Sequence, residues 1–223
     1  MKIFVIAAHP DDETFGCGGT LLKHAENNDK IYLLLFTDGV SSRKLKKKKD
    51  LQKKIKDRYL QSVKVGKKIG IKKIYREYFE DNQLDKASCL DLVKVVEKYK
   101  NIIDPDIVYT HFYNDLNIDH RKVSEATVTA FRANRRNRCK KILFFETLSS
   151  TNYMPNNNDF KPNYFVDISN HIKKKLNLCK VYKDEIKESQ GRSLSSIKIQ
   201  AQYRGNESNF KFAEAFQVYK IFQ

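Results

Sequence analysis

With 223 residues, 40% of them apolar, the chain can bury a full core, and its length fits one domain over residues 1–223 better than two small ones. Its apolar start runs into Asp11 and Asp12 too soon for a signal peptide, and no long uninterrupted apolar stretch follows. Both observations argue against a membrane span and for a soluble, cytoplasmic protein. Cys17, Cys89, Cys139 and Cys179 are widely spaced with no CxxC pair, which fits reduced thiols and excludes a disulfide framework.

Apolar β-type runs at Ile3–Ala7 and Ile31–Phe36 flank an apolar-periodic stretch from Glu13 to Asn27, the βαβ signature of a parallel sheet. A helix is predicted over Asp50–Ile69, stopping at Gly70. "KKIYRE" then reads as a short strand and Ala87–Tyr99 as an amphipathic helix. After the turn "DPD", "IVYTHF" is the next buried strand, "HRKVSEATVTAFRAN" a helix and "KILFFET" a fifth strand. From Leu148 the loop "SSTNYMPNNNDFKPN" is too rich in Pro and Asn for regular structure. A helix near Ser169–Glu188 follows, and "FKFAEAFQVYKIF" alternates as a final strand whose aromatic residues pack. No internal repeat and no dividing linker interrupts this order.

The formal net charge of +16 raises the question of nucleic acid. Much of the excess lies in the segment from Arg43 to Arg58, which has no aromatic residue on which bases could stack. Such a run reads as a solvated helix face or a mobile loop, which argues against a nucleic-acid partner. Attraction of an anionic small substrate stays open.

In open parallel α/β sheets, ligands bind outside the carboxyl ends of the strands. "AHPDD" puts His9, Asp11 and Asp12 at that edge after the first strand, and "HFYNDLNIDHR" puts a second polar cluster, His111 to Arg121, at the same edge. Unpaired buried acids there would cost several kcal/mol or more, so something cationic is expected to offset them. His9, Asp12 and His120 form a two-His, one-carboxylate set suited to a zinc ion with one position open for water. The glycines at 16, 18 and 19 in "GCGG" do not form GxGxxG, and close packing explains them as well as function does.

"AHPDDETFGCGGTL", "DLNIDHRKV" and "RGNESNFKFAEAF", in that order, resemble the LmbE/PIG-L family of zinc-dependent N-acetylglucosaminyl deacetylases over nearly the whole chain. The resemblance implies an α/β Rossmann-like three-layer fold with a mainly parallel sheet, and hydrolysis of an N-acetyl group on an amino sugar. By motif position it makes His9, Asp12 and His120 the Zn2+ ligands and Asp11 the general base. It puts Arg58 at the active-site rim and matches Arg204, Gly205 and Glu214 to the closing motif, with Arg58, Arg204 and Glu214 as substrate-binding candidates. Asp119 reads either as the carboxylate that orients a ligand histidine or as a helix N-cap.

One position departs from the family. Many members carry a histidine three residues before the second metal histidine, whereas this chain has Asn117, which can donate an N–H to an oxyanion but cannot become an imidazolium. His111 is the alternative oxyanion partner or a structural residue, and Tyr153 with its Asn-rich loop is a candidate cover for substrate. The expected function is zinc-dependent deacetylation of an N-acetylated amino sugar or a conjugate, including a nucleotide- or phosphate-linked one. The alternatives are a metalloamidase for another acylated amine and a non-catalytic basic nucleic-acid or sugar-binding module. The oligomeric state, a homo-oligomer included, is not set by the sequence.

Overall fold

Alternation along the first strand decides where the core lies. In β1 (Lys2–Ala7), Ile3, Val5 and Ala7 join one core cluster while Phe4 and Ile6 join the other, as a strand covered on both faces requires. The computed structural model describes residues 1–43, 47–133, 138–155, 158–187 and 191–222. β2 (Lys30–Thr37), β3 (Lys73–Phe79), β4 (Ile107–His111), β5 (Lys141–Phe145), β6 (Tyr164–Asp167) and β7 (Ala213–Ile221) complete a seven-stranded sheet in the order β3-β2-β1-β4-β5-β7-β6. The pairs from β3 through β5 are parallel, and β7 runs antiparallel to both β5 and β6.

α1 (Asp12–Glu26), α2 (Lys48–Ile69), α5 (Ile172–Cys179) and α6 (Leu194–Glu207) send Leu21, Val65, Leu178 and Ile197 to the Ile3 side. α3 (Cys89–Ile103) and α4 (Ile118–Ala130) send Leu92, Val96, Val123 and Ala126 to the Phe4 side. The result is the expected three-layer Rossmann-like arrangement with a mainly parallel sheet. From β1 the order runs to β2 on one side and to β4 on the other. The loops leaving β1 and β4 therefore diverge, and the crevice between them is where such sheets take ligands.

Three elements differ from the sequence expectation. Of the helix expected near Ser169–Glu188, only Ile172–Cys179 is α-helical, the chain then tightens into a 3-10 turn at Lys180–Tyr182, and Glu188 lies outside the described residues. α6 and β6 were not foreseen. α6 buries only Ile197, Ala201, Arg204 and Gly205, so its inward face carries a charge and a glycine where an apolar stripe would advertise a helix. β6 has four residues, all half-buried.

The "GCGG" stretch breaks α1. Cys17 leaves helical geometry at φ −140°, which frees backbone groups on either side. The Glu214 carboxylate accepts the N–H groups of Gly19 (2.8 Å) and Thr20 (2.6 Å). Lys175 Nζ donates to the Phe15 carbonyl (2.9 Å) and sits 2.6 Å from Glu214 Oε1. Glycine is needed at the break because a Cβ at Gly16 would stand 2.4 Å from the Phe145 ring, and one at Gly19 would stand 2.8 Å from Ile168. β7 thus braces the helix that follows the first motif. Glu214→Ala should strand two amides and a buried ammonium, lowering stability by about 3–5 kcal/mol in urea unfolding. A loss near ~0.5 kcal/mol, the scale of a surface substitution, would show that the brace carries no load.

Candidate metal centre

β1 delivers His9 to the carboxyl edge, Asp12 opens α1, and His120 comes from the first turn of α4. The His9 N–H donates to Asp12 Oδ2 (2.9 Å). That oxygen also lies 3.0 Å from His9 Nδ1 and 3.4 Å from Nε2 of both His111 and His120. His120 Nε2 is 3.3 Å from His9 Nδ1. One ligand atom from each of His9, Asp12 and His120 lies within 4.8 Å of the others, and all three residues are buried. Asp12 Oδ1 is buried with no hydrogen-bond partner among the described residues. Two imidazoles and a carboxylate with a spare lone pair fit a zinc-type cation, and the sequence-predicted trio is the set brought together.

Charge balance points the same way. Burial pushes the Asp12 carboxyl up, but the imidazoles of His120, His9 and His111 outweigh it and hold the group well below the carboxylate range. Burial alone would keep His120 neutral, yet Asp12 and Asp115 raise it to about 9. Asp115 is itself held at about 2, burial being overcome chiefly by His120. His111 is pushed down to about 4 by burial and by the neighbouring His120. Its Nε2 accepts the Ala8 N–H (3.0 Å) and its ring stacks on His120 at 3.9 Å, which leaves the proton on Nδ1.

The outer nitrogens of the two ligand histidines meet acids. His9 Nε2 lies 3.1 Å from Asp81 Oδ1 and 3.2 Å from Asp119 Oδ2, while His120 Nδ1 lies 3.1 Å from Asp115 Oδ1. Asp119 therefore touches His9 and not its sequence neighbour. Its carboxylate also accepts the N–H groups of Asn82 (2.7 Å) and Leu84 (3.0 Å), so His9, Asp81 and Asp119, though close enough to hold an ion, read as an orienting network. The cap of α4 is Asn117: its Oδ1 accepts from the N–H groups of Asp119 (2.9 Å) and His120 (3.4 Å), and its Nδ2 donates to Asn82 (3.1 Å). Asp81 and Asp115 carry no signal of their own in the sequence. Asp115 lies inside the second polar cluster, five residues before His120, whereas Asp81 follows β3 and has no motif spacing.

Asp11 stands apart from Asp12. Its backbone adopts φ 140° and ψ −30°, a region L residues rarely occupy, held by its N–H on Glu13 Oε2 (3.1 Å) and by Thr14 N–H (2.9 Å) on its carbonyl. Its Oδ2 lies 3.3 Å from Arg58 Nη1 and 3.8 Å from Arg192 Nη1. Burial and the Asp12 charge raise Asp11 to about 7, against the pull of Arg192 and Arg58. Glu185, which the sequence did not flag, accepts from Arg58 and Arg43 and from Arg192 (3.3 Å). Arg58, expected at a rim, is only 3% exposed beside Asp11.

Arg204 forms a two-pronged pair with Glu146 (2.8 and 2.7 Å) and reaches Glu207 (2.7 Å). The partners of Arg204 and of Glu214 lie outside the His9 cluster. Of the Lys-rich stretch, Lys44, Leu45 and Lys46 lie outside the described residues, Arg43 pairs with Glu185, and the residues from Lys47 on lie at the start of α2, exposed or half-buried apart from buried Arg58. Tyr153 is exposed, and its loop is tied to the centre where Thr151 Oγ1 donates to Asp115 Oδ2 (2.7 Å).

Fold and cluster together define an α/β protein with a buried His/Asp cluster that could hold a cation at the point where strand order reverses. The GlcNAc-PI de-N-acetylase (PIG-L) family pattern matches residues 4–131, more than half the chain. The chain belongs to that family. It is 27% identical over 237 residues to the diacetylchitobiose deacetylase of Thermococcus kodakarensis, covering 97% of this chain and 82% of that protein. The N,N'-diacetylchitobiose deacetylase structure from Pyrococcus horikoshii superposes with a TM-score of 0.79 at 19% identity, covering 97% of this chain and 83% of that one. GalB, a 4-carboxy-2-hydroxymuconate hydratase from Pseudomonas putida, superposes at 0.74 and 19% identity, covering 100% and 97%. The two superpositions show the fold alone.

The network yields a graded expectation for metal affinity. Asp12→Ala should abolish stoichiometric zinc, whereas Asp115→Asn, which keeps all three ligands but unties His120, should weaken it about 10- to 100-fold in a chelator competition. Equal zinc affinity for Asp115→Asn and wild type would remove Asp115 from the network.

Proposed function

We propose that this family member is a zinc-dependent deacetylase that hydrolyses the N-acetyl amide of an amino sugar or a conjugate containing one. The observation that carries the reading is the split between two adjacent acids: Asp12 lies among the imidazoles, and Asp11 lies against the guanidinium groups of Arg58 and Arg192. His9, Asp12 and His120 would hold the ion. Bound there, zinc supplies Lewis acidity toward the acetyl carbonyl and a more acidic water. The deacetylase names of the relatives, diacetylchitobiose deacetylase among them, favour an acetylated amino sugar as substrate.

The chain's own residues do the rest. Asp11 takes a proton from the attacking water as its oxygen bonds to the carbonyl carbon. Asp11 then returns that proton to the nitrogen as the C–N bond breaks, releasing acetate and the free amine. Arg58 and Arg192 fix the Asp11 carboxylate, and Glu185 fixes the arginines. Asp115, Asp81 and Asp119 hold the rings of His120 and His9 in place. Asn117 is the candidate N–H donor to the developing oxyanion, a duty it would combine with capping α4.

Asp11→Asn should retain zinc and lose about 100- to 10,000-fold in amine release from N,N'-diacetylchitobiose, as expected for a positioned base. If the zinc-loaded wild type releases no amine from any N-acetylated sugar, the reading fails. Asn117→Ser keeps a good helix cap but removes the amide donor, so kcat should fall far more than KM rises. An unchanged kcat would confine Asn117 to capping.

A further inference from the structure

On the α1 face of the sheet, the second half of α1 stands off from β4, β5 and β6 and leaves a cavity of about 470 Å³. Its wall includes Thr20 and Lys23 of α1, Tyr109 of β4, Lys140 and Lys141 where β5 begins, and Tyr164 of β6. None of its lining residues belongs to the His9–Asp12–His120 cluster.

The wall is cationic and under-partnered. Among the described residues, Lys23, Lys140 and Lys141 form no ion pair: Lys23 Nζ donates to the Asp167 carbonyl (3.2 Å), and Lys141 Nζ sits 5.2 Å above the Tyr164 ring. The acid lining the cavity, Asp167, accepts the Ser169 N–H (2.9 Å) and hydroxyl (2.6 Å) on Oδ1, and against the upward push of burial those bonds with the nearby Lys23 charge hold its carboxyl below the usual range. Deep in the wall, the buried Tyr109 hydroxyl is fixed by His24 Nε2 (2.9 Å). The volume falls within the range of small-ligand sites, roughly 300–1,000 Å³.

We infer that this cavity is a second ligand site, built for a small molecule that joins a phosphate monoester to a ring. The phosphate lies among Lys23, Lys140 and Lys141, and the ring packs on Tyr164. Lysine suits this task because its ammonium is a compact charge on a flexible stem and carries no fixed geometry. The ring is either a nucleobase or a sugar, and two probes separate these sources.

Isothermal titration of the zinc-loaded protein with AMP, glucose 6-phosphate, adenosine and inorganic phosphate tests the site. One of the two phosphomonoesters should bind at one per chain and more tightly than inorganic phosphate, and adenosine should not bind. Lys140→Ser/Lys141→Ser should weaken that binding by about 10-fold or more, the worth of a charge-assisted hydrogen bond, while its deacetylation rate without ligand stays at the wild-type value. Asp12→Ala should bind the same probe as wild type does, which separates the cavity from the metal centre. Binding that is no tighter than for inorganic phosphate, that survives the double substitution, or that disappears with Asp12→Ala overturns the inference.

Discussion

The carboxylates buried at the carboxyl edge of the sheet are the constraint from which the rest of the molecule follows. Asp11, Asp12, Glu13, Asp115 and Asp119 are all at most 2% exposed. A buried charge without a partner costs several kcal/mol, so each of them must be met on the spot. Asp12 and Asp115 are met by imidazoles, and Asp119 by the His9 ring and two backbone amides. Asp11 is met by guanidinium groups. Among the described residues Glu13 is met by neutral donors, the Thr14 and Tyr182 hydroxyls and the Asp11 N–H, and burial raises its pKa. His9 and His120 are both drawn upward in pKa by these acids, and a divalent ion displacing their protons satisfies the same field.

Meeting those charges fixes distant parts of the chain. The break in α1 leaves amides that an acid from β7 accepts, and Lys175 completes the exchange from α5. Arg204 on α6 grips Glu146, the residue after β5, so the closing motif ties two late elements to the edge that carries the centre. The Thr147 N–H donates to the Thr151 hydroxyl, which donates in turn to Asp115. First and last motifs are thus joined mechanically through α1.

What the sequence disclosed follows from this physics. Strands buried on both faces read as apolar runs, and polar residues directly after such a run mark the edge, so the pattern of residues alone is enough to group His9, Asp12 and His120. Asp81, Glu185 and Arg192 were hidden because each reaches the site from a loop that no period or motif connects to it. Which histidine Asp119 meets was hidden as well, since the sequence names no partner and the fold supplies His9. α6 was missed because its buried face is built from Ile197, Ala201, Arg204 and Gly205, a pattern shaped by the ion pair with Glu146 and by close backbone approach.

The fold hosts more than one kind of reaction, so chemistry has to be sought in how the two neighbouring acids are separated. A carboxylate that holds a cation is a poor proton acceptor, and the proposed function asks for both tasks within "DD". Two successive residues in a regular first turn would share much of one environment. The φ of 140° at Asp11 prevents this by turning its carboxylate toward Arg58 and Arg192, while Asp12 begins the helix among the histidines. Such a backbone costs of order 1–3 kcal/mol. The Glu13 carboxylate on the Asp11 N–H, and the amides of Thr14 and Phe15 on its carbonyl, offset that cost. Glu13 therefore belongs to the same device: by holding the Asp11 N–H, its buried carboxylate helps keep the two neighbouring aspartates in separate environments.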